Sequence, residues 1–243
     1  MKKRVKIALI DGLPYTVPKQ VEVYNTYDDY TWDSDFFGVP EFRMHGEKML
    51  KIIREENPDA QVIICPFYSK YESVYKNYKL LARSIIKAVS EKALIISISL
   101  EVLGVKYLSV DILQAYKYAF KNRVLILVSA GNEKTFLNPL IHKKYTIPII
   151  GITNTNKIPH NLWFEKKKST FGYGIYGGER YLGVEKDEKI YCSIATARFA
   201  GQLSILLSKF KNNDSNFSID ELVSKICLKK GHIINIKNTP LLN

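Results

Sequence analysis

Near the start of the chain stands Val5-Lys6-Ile7-Ala8-Leu9-Ile10-Asp11-Gly12, an almost unbroken apolar run that ends in a carboxylate and a glycine. Strands that are covered on both faces have this character, and such strands belong to parallel sheets. Further runs of the same kind occur at residues 61–65, 94–99, 124–129 and 147–152. The sequence therefore predicts a mostly parallel sheet whose first strand spans residues 5–10.

Amphipathic stretches with helical spacing alternate with these strands. They cover residues 45–56, 71–92, 110–121 and 193–209, and a last short helix is predicted over 219–227 with Ser218 as its N-cap. This alternation predicts an α/β fold, a three-layer sandwich around the sheet. Residues 15–42 and 159–187 are predicted to be irregular excursions. Because the alternation resumes after each, we expect a single domain over residues 1–243.

The composition is that of a globular protein. Of 243 residues, 46% are hydrophobic and 25% charged, which excludes a largely disordered chain. No apolar run approaches the roughly 18 residues of a membrane span, and the one after the basic N-terminus is too short for a signal peptide. The three cysteines lie far apart with no C-x-x-C spacing, which suits a reducing compartment. We expect a cytoplasmic protein with no metal site and no cofactor.

The charge is strongly basic, since 36 Lys and Arg against 24 Asp and Glu give +12. Such a balance fits nucleic acid, a membrane surface or an acidic partner. Only seven of the basic residues are arginine, which is the usual reader of bases, and the lysine cluster at 166–168 is not interleaved with aromatic residues. A solvated lysine surface without a nucleic-acid partner is therefore predicted, and an acidic peptide partner remains open.

Four polar residues occupy positions where active sites of parallel sheets are found. Asp11 ends the first strand, His45 opens a helix, Asn132 follows the strand at 124–129, and Ser193 opens the last long helix. A histidine activates a serine hydroxyl by taking its proton, and a carboxylate fixes the histidine tautomer. A side-chain amide can donate to the oxyanion that forms. The set therefore predicts an acyl-transfer site.

Each of these residues also has a purely structural explanation. Ser193 can serve as a helix N-cap, and Asp11 as a turn residue beside a glycine. His45 can be an ordinary surface residue of a helix, and Asn132 an ordinary turn residue. Their joint placement, and not any single residue, favours the chemical interpretation.

The chain resembles the subtilisin-like serine peptidases, or subtilases, over most of its length. The order Asp, His, Asn, Ser is the order of that family, with separations of 34 (45 − 11), 87 (132 − 45) and 61 (193 − 132) residues. Family motifs are resembled at residues 8–12, 45–46, 98–100, 129–133, 147–152, 169–174, 193–196 and 200–201. No single motif decides the matter, but the ordered set is highly specific.

The resemblance implies a role for each candidate residue. The implied catalytic residues are Asp11, His45 and Ser193, and the implied oxyanion donor is Asn132. The implied substrate-binding residues are Ser99, Leu100, Glu101, Ala130 and Gly131.

Among these, Glu101 stands where the family has a glycine beside the pocket for the side chain before the scissile bond. A carboxylate there would pair with a basic substrate residue. The alternative is that Glu101 faces solvent or pairs with a lysine such as Lys106.

Several positions depart from the family pattern. Gly12 follows the aspartate directly, Glu47 replaces a threonine, and Ala197-Arg198 replaces Pro-His after the nucleophile. Tyr191-Cys192 stands where the family has Gly-Thr, and loss of the glycine is expected to affect the geometry of the oxyanion hole. The chain also begins almost at the aspartate strand, which we interpret as the absence of the pro-segment of secreted relatives.

We predict a cytoplasmic serine endopeptidase that acts on a peptide or protein substrate and is dedicated to processing a precursor peptide. The alternative is a catalytically silent subtilase fold that serves as a peptide-binding or partner module, an interpretation that the departures favour. A nucleotide-binding protein is disfavoured because the chain contains no G-x-x-x-x-G-K-[ST] loop. The sequence predicts neither the oligomeric state nor the substrate sequence.

Overall fold

A sheet of seven parallel strands forms the centre of the protein. The computed structural model describes residues 4–24, 40–66, 74–100, 108–132, 138–142, 144–155, 157, 159, 173–181, 184–186 and 189–209. The strands of the sheet are β1 (Lys6–Ile10), β2 (Glu22–Val23), β3 (Gln61–Ile64), β4 (Ile95–Ile98), β5 (Leu125–Ser129), β6 (Ile147–Ile152) and β7 (Tyr173–Tyr176). Their order is β2-β3-β1-β4-β5-β6-β7, and β8 (Glu179–Tyr181) pairs antiparallel with β9 (Val184–Lys186).

Four helices cover the two faces of this sheet. They are α1 (Pro40–Glu56), α2 (Val74–Ser90), α3 (Val110–Lys121) and α4 (Cys192–Lys209). Ile7 and Leu9 of β1 point into a core shared with α1 and α4, whereas Ala8 and Ile10 point into the core under α2 and α3. Successive strand side chains alternate between faces, so one apolar strand serves two cores. The predicted three-layer α/β sandwich is confirmed.

The carboxyl ends of the central strands meet at one edge of the sheet. Leu9 is in register with Ile64 of β3 and with Ser97 of β4, and Ile98 of β4 is in register with Val128 of β5. Because all these pairs are parallel, the residues that follow β1, β4 and β5 emerge side by side. We call this the carboxyl edge.

Most predicted elements are confirmed with small shifts of their ends. Each of the five predicted strands agrees within one residue at either end, α3 agrees at both ends, and α4 begins one residue early. The prediction over 71–92 corresponds to Val74–Ser90. The prediction that His45 opens its helix is wrong, since α1 begins at Pro40. Proline has a preset φ that suits the first helical position, and Glu41 lies favourably in the first turn.

Both predicted excursions contain regular structure. Residues 15–42 include β2 and the first residues of α1, and residues 159–187 include β7 and the β8–β9 pair. Strand β7 reads Tyr-Gly-Ile-Tyr and is buried throughout. Its two tyrosines and its glycine gave no continuous aliphatic run, which is why the sequence pattern did not reveal it. The helix predicted over 219–227, with Ser218, lies outside the described residues.

Helices α2 and α3 end with the same backbone motif. At the end of α2, Ala93 N–H donates to Ala88 C=O and Lys92 N–H donates to Val89 C=O. At the end of α3, the same pattern is centred on Arg123, and the φ values of Lys92 and Arg123 are 64° and 59°. This is a Schellman cap, in which the left-handed residue is usually glycine. Each cap turns the chain directly into the next strand.

Candidate active site

Asp11 and His45 are in direct contact at the carboxyl edge. Nδ1 of His45 lies 2.9 Å from Oδ1 and 3.1 Å from Oδ2 of Asp11, so Nδ1–H donates to the carboxylate. The Asp11 side chain is fully buried and also accepts from the Gly12 N–H at 2.8 Å, whereas His45 is 29% exposed. Donation from Nδ1 leaves Nε2 as the unprotonated nitrogen of a neutral imidazole. A ring held in this way can accept a proton at Nε2.

Two glycines let the backbone after β1 lie directly on helix α1. A Cβ atom on Gly46 would overlap the carbonyl oxygen of Gly12, and a Cβ atom on Gly12 would overlap the carbonyl oxygen of Phe42. Backbone cannot yield as a flexible side chain can, so only glycine fits either position. This approach brings the helix that carries His45 against the strand end that carries Asp11.

Arg43 of α1 also binds the segment that follows β1. Its Nε donates to the carbonyl of Leu13 at 3.2 Å, and its guanidinium carbon lies 4.1 Å from the ring centroid of Tyr15. Arg43 is two residues before His45 in α1. Nothing in the sequence pattern distinguished this arginine, because its partners are carbonyls and a ring that only the fold brings near.

The pKa of His45 is raised above its ordinary value. Burial by itself lowers the pKa, but the negative charge of Asp11 and the hydrogen bond to it raise the pKa by more. The ammonium of Lys48, one turn further along α1, acts in the lowering direction. The carboxylate therefore makes the imidazole a stronger base than burial alone would allow.

Asn132 contacts the residue before Ser193 where helix α4 begins. Oδ1 of Asn132 accepts a hydrogen bond from the backbone N–H of Cys192 at 2.8 Å, and Ser193 is the next residue. This bond turns the acceptor end of the amide toward the helix and leaves Nδ2 as its donor end. Ser193 is buried in the first turn of α4, close to the positive end of the helix dipole. Gly131, with φ 109°, supplies the backbone conformation that delivers Asn132 from the end of β5.

The backbone just before Ser193 is held against β6 and the end of β7. Tyr191 N–H donates to the carbonyl of Gly177 at 2.9 Å, and Gly151 N–H donates to Sγ of Cys192 at 3.3 Å. A Cβ on Gly151 or Gly177 would lie 2.9 or 2.5 Å from the carbonyl oxygen of Tyr191. The two glycines therefore let this segment pack directly on β6 and on the residue that follows β7.

Tyr191 takes an ordinary backbone conformation. Among the described residues, those other than glycine with positive φ are Lys92 and Arg123, so Tyr191 does not need the freedom of a glycine. The glycines of this segment are instead the partners, Gly151 and Gly177. The tyrosine in place of the family glycine therefore introduces no backbone strain.

Lys48 and Tyr191 bridge the two halves of the site. The ammonium of Lys48 lies 5.8 Å from the ring centroid of Tyr191. Lys48 stands one turn after His45 on α1, and Tyr191 stands two residues before Ser193. The contact therefore brings the histidine turn of α1 beside the serine end of α4.

The ends of β4 and β5 are joined by a residue that the sequence analysis missed. Nδ2 of Asn138 donates to the carbonyls of Leu100 (2.8 Å) and Ser129 (2.7 Å), and the Asn138 N–H donates to the carbonyl of Ala130. Its side chain is buried. The sequence analysis did not single out Asn138. The signal that could have indicated its role is the Asn138-Pro139 pair, which favours a turn and lies close to Asn132.

Four of the five predicted substrate-binding residues are among the described residues, and all four lie at the carboxyl edge. Ser99, Leu100, Ala130 and Gly131 follow β4 and β5 and are buried. The hydroxyls of Ser99 and Ser129 are buried without a hydrogen-bond partner among the described residues. Glu101 and Lys106 lie outside the described residues.

Arg198 replaces the family histidine and is buried in an ion pair. Its Nε lies 3.0 Å from Oε1 of Glu56, and the two side chains are 3% and 5% exposed. Arg198 Nη1 also donates to the carbonyls of Tyr176 (2.5 Å) and Gly178 (3.2 Å), and Gln202 Nε2 donates to Oε2 of Glu56 (3.0 Å). The network joins α1, α4 and the end of β7, so this departure from the family pattern has a structural role.

Over the described ranges, neither a metal cluster nor a membrane-spanning helix occurs. No group of three or more His, Cys, Asp or Glu side chains suited to a metal ion is found there. None of the described helices combines the length and apolar character needed to cross a membrane. Cys65 and Cys192 are buried and form no disulfide with each other, the two cysteines in the described part of the chain.

Solved structures share this architecture. The protease domain of PatA superposes with a TM-score of 0.67 at 20% identity, over 84% of this chain and 79% of its own. The chain has the fold of subtilisin-like proteases. Two more structures with this fold are the prenylagaramide maturation protease PagA (TM-score 0.63, 17% identity, 94% of this chain and 77% of that one) and a lanthipeptide protease (0.62, 19%, 90% and 77%). No protein-family model and no curated protein matches the sequence.

Proposed function

We propose that the protein is a serine endopeptidase of the subtilisin type. The observation that carries the proposal is the contact of the buried Asp11 carboxylate with Nδ1 of His45, at the edge where Ser193 lies in the first turn of α4. A structural role alone would not require a fully buried carboxylate to orient a histidine that is itself partly exposed. Burying a charge is costly unless its partners repay it.

In this proposal the three side chains act as a triad. Nε2 of His45 takes the proton of Ser193 Oγ as the hydroxyl attacks the peptide carbonyl, and the ring then returns that proton to the leaving amine. Asp11 keeps the tautomer fixed and stabilises the imidazolium. Water then hydrolyses the acyl-enzyme by the same route, with His45 again as the base.

Asn132 is proposed as the side-chain donor to the oxyanion. Its Oδ1 is engaged by the Cys192 N–H, which supports a fixed direction for the Nδ2 end. A donor fixed before reaction costs no reorganisation when charge develops on the carbonyl oxygen. The dipole at the start of α4 favours the same negative charge.

The substrate class proposed is a precursor peptide. Structures with this fold include maturation proteases of prenylagaramide and patellamide and a lanthipeptide protease, all named for peptide products. Residues Ser99–Leu100 and Ala130–Gly131 are proposed to line the bound peptide, and the buried, unpartnered hydroxyls of Ser99 and Ser129 support a polar occupant at this edge. Glu101 is proposed to favour a basic residue before the scissile bond, which a peptide library compared between wild type and Glu101→Gln would test.

A fluorophosphonate probe tests the activity directly. Wild type is expected to be labelled at Ser193, and Ser193→Ala to be unlabelled. Ser208→Ala, on the same helix, is the matched control and is expected to label like wild type. A folded wild-type protein that resists the probe and leaves peptides intact would contradict the proposal and favour a partner-binding module.

A further inference from the structure

A second surface of the protein combines exposed lysines with clustered rings. It consists of Lys117 and Phe120 from α3 and of His142, Lys144 and Tyr145 from the segment before β6; we call it the α3–β6 patch. Phe120 is 50% exposed, and both lysines are exposed. Lys121, one turn after Lys117 on the same face of α3, extends the patch.

The rings hold one of the cations in place. The Lys144 ammonium lies 5.9 Å from the ring centroid of Phe120 and 5.6 Å from that of Tyr145, both within cation–π range. His142 stacks on Tyr145 at 4.6 Å between centroids, and Phe120 meets Tyr145 edge to face at 5.5 Å. Lys144 is thus placed before any ligand arrives, which reduces the entropic cost of binding.

The positive charges of the patch crowd together. Burial and the charges of Lys117 and Lys144 lower the pKa of His142, against a backbone hydrogen bond that raises it. Within the described residues, no carboxylate lies within ion-pair distance of Lys117, Lys121 or Lys144. Nδ1 of His142 accepts from the Lys144 N–H at 3.2 Å, so a neutral His142 presents Nε2–H as a donor. An anion would relieve this repulsion and accept that bond.

The patch lies at the edge of the sheet opposite the candidate active site. It surrounds the end of α3, which leads into β5, and the residues before β6, whereas Asn132 follows the carboxyl end of β5. The five residues of β5 separate the two edges by about 16 Å, at about 3.3 Å a residue. A ligand at the patch therefore does not occupy the carboxyl edge.

We propose that the α3–β6 patch is an exosite that binds an acidic segment of the peptide substrate, remote from the scissile bond, with carboxylates on the lysines and an apolar side chain on Phe120. To call this ligand a substrate, the proposal rests on the peptidase function proposed above. Lysine ammonium groups suit single carboxylates, and the faces of Tyr145 are already taken up by His142 and Lys144. A single-stranded nucleic acid stacks successive bases on several open rings, whereas Phe120 is the one exposed ring among the three described in this patch, so the arrangement favours a peptide.

Binding is tested on the Ser193→Ala protein, which cannot consume the ligand. A fluorescein-labelled dodecapeptide of alternating Glu and Leu is titrated at low salt and followed by anisotropy. Replacing Lys117, Lys121 and Lys144 together by Gln is expected to raise Kd about tenfold or more, since exposed charge pairs each contribute modestly. The control replaces Lys19, Lys157 and Lys209 by Gln, with the same change in net charge, and is expected to stay within about twofold of the parent protein.

Equal losses in both triple variants would overturn the exosite, because they would show a general effect of net charge. Tighter binding of oligothymidylate, lost in the patch variant alone, would identify a nucleic-acid site instead. NMR gives a separate measurement: the pKa of His142 is expected to rise when the peptide binds, and an unchanged pKa argues against contact.

Hydrolysis adds a functional measurement in the wild-type background. With a substrate that carries the acidic segment several residues from the cleaved bond, the patch variant is expected to raise KM and leave kcat unchanged. A substrate without the segment is expected to be cleaved equally by both proteins. Because binding is measured without turnover, a protein that binds the peptide but cleaves nothing would refute the peptidase and not the patch.

Discussion

Gly201 of α4 packs directly against the carbonyl oxygen of Ile53 in α1, and a Cβ atom on Gly201 would lie 2.7 Å from that oxygen. Counting back eight residues from each contact residue leads to Ser193 and to His45. Both helices run away from the carboxyl edge, so equal counts along α1 and α4 bring the two residues to a similar level along the helix axes. The glycine contact sets how closely the helices approach.

Gly201→Ala is expected to impair both folding and turnover. The added methyl meets backbone that cannot move aside, at a cost of about 1–3 kcal/mol, while alanine in a helix returns up to about 1 kcal/mol. We expect a net loss near 1 kcal/mol in urea unfolding and a lower kcat. Ser208→Ala on the same helix is the control, and a Gly201→Ala protein with full activity would show that helix spacing does not govern the site.

The raised pKa of His45 gives a pH dependence of defined sign. The ring must be neutral to accept a proton, so kcat/KM is expected to rise with pH and to reach half its plateau above pH 6.5, the ordinary pKa of histidine. The same shift adds stability that is complete below the unfolded pKa and lost as pH rises through the folded pKa.

Asp11→Asn is expected to shift the rise of kcat/KM to lower pH. Burial and the charge of Lys48 then lower the pKa of His45 without an opposing carboxylate. It is also expected to reduce kcat by roughly three to four orders of magnitude, since the tautomer is no longer fixed. A profile that stays in place after the substitution would show that Asp11 does not control the ionisation of His45.

Asn132→Asp separates the two ends of the amide. The carboxylate keeps an oxygen for the Cys192 N–H and loses the Nδ2 donor. The carboxylate also places a negative charge where the oxyanion forms, so we expect kcat to fall by more than the roughly hundred- to thousandfold that follows the loss of one oxyanion donor. Asn132→Ala loses both functions and is expected also to unfold at lower urea. If Asn132→Asp retained activity, the amide would serve only to hold the backbone.

The Arg198–Glu56 pair is expected to be strongly non-additive. Arg198→Met leaves the Glu56 carboxylate, which is 5% exposed, with its Gln202 hydrogen bond but without the guanidinium charge, at a cost of at most about 3–5 kcal/mol. Glu56→Leu leaves the guanidinium in the same position. The double variant is expected to be more stable than the sum of the single losses predicts, as measured by a double-mutant cycle in urea. Additive losses would mean that the two charges act independently.

The Schellman caps offer substitutions that are expected to stabilise the fold. Lys92 and Arg123 adopt left-handed φ, which costs a side-chain-bearing residue about 1–2 kcal/mol. Replacing either by Gly is expected to gain about 0.5–1 kcal/mol after the entropy of the unfolded glycine is counted, and to raise Tm by about 1–3 °C. Lys51→Gly, inside α1, is the opposite control and is expected to lower Tm.

The sequence predicted what depends on continuous patterns. Long apolar runs marked β1 and β6, and helical spacing marked α3, because burial on both faces or on one stripe leaves a periodic trace. Strand β2 has two residues and β7 has two tyrosines, so neither produces such a trace. The start of α1 was missed because Pro40 and Glu41 mark a helix start by the preferences of proline and of negative charge, and not by apolar spacing.

The candidate site was predictable to the extent that its residues follow strand ends. Asp11, Asn132 and Ser193 were predicted as site residues because a strand end or helix start is visible in the sequence. Arg43 and Asn138 were not, because their hydrogen bonds go to backbone carbonyls far away in the chain. Such partners have no sequence pattern, and only the assembled edge reveals them.

The way Tyr191 is held bears on how selectivity can change over evolutionary time. Its main chain is fixed by Gly151 and Gly177, while its half-buried ring faces Lys48 beside the histidine turn. Mutation at this position therefore alters the side chain beside the histidine turn without rebuilding the loop beneath it. Position 191 is a site where a lineage, or a laboratory library, can explore new preferences while the surrounding scaffold is inherited intact.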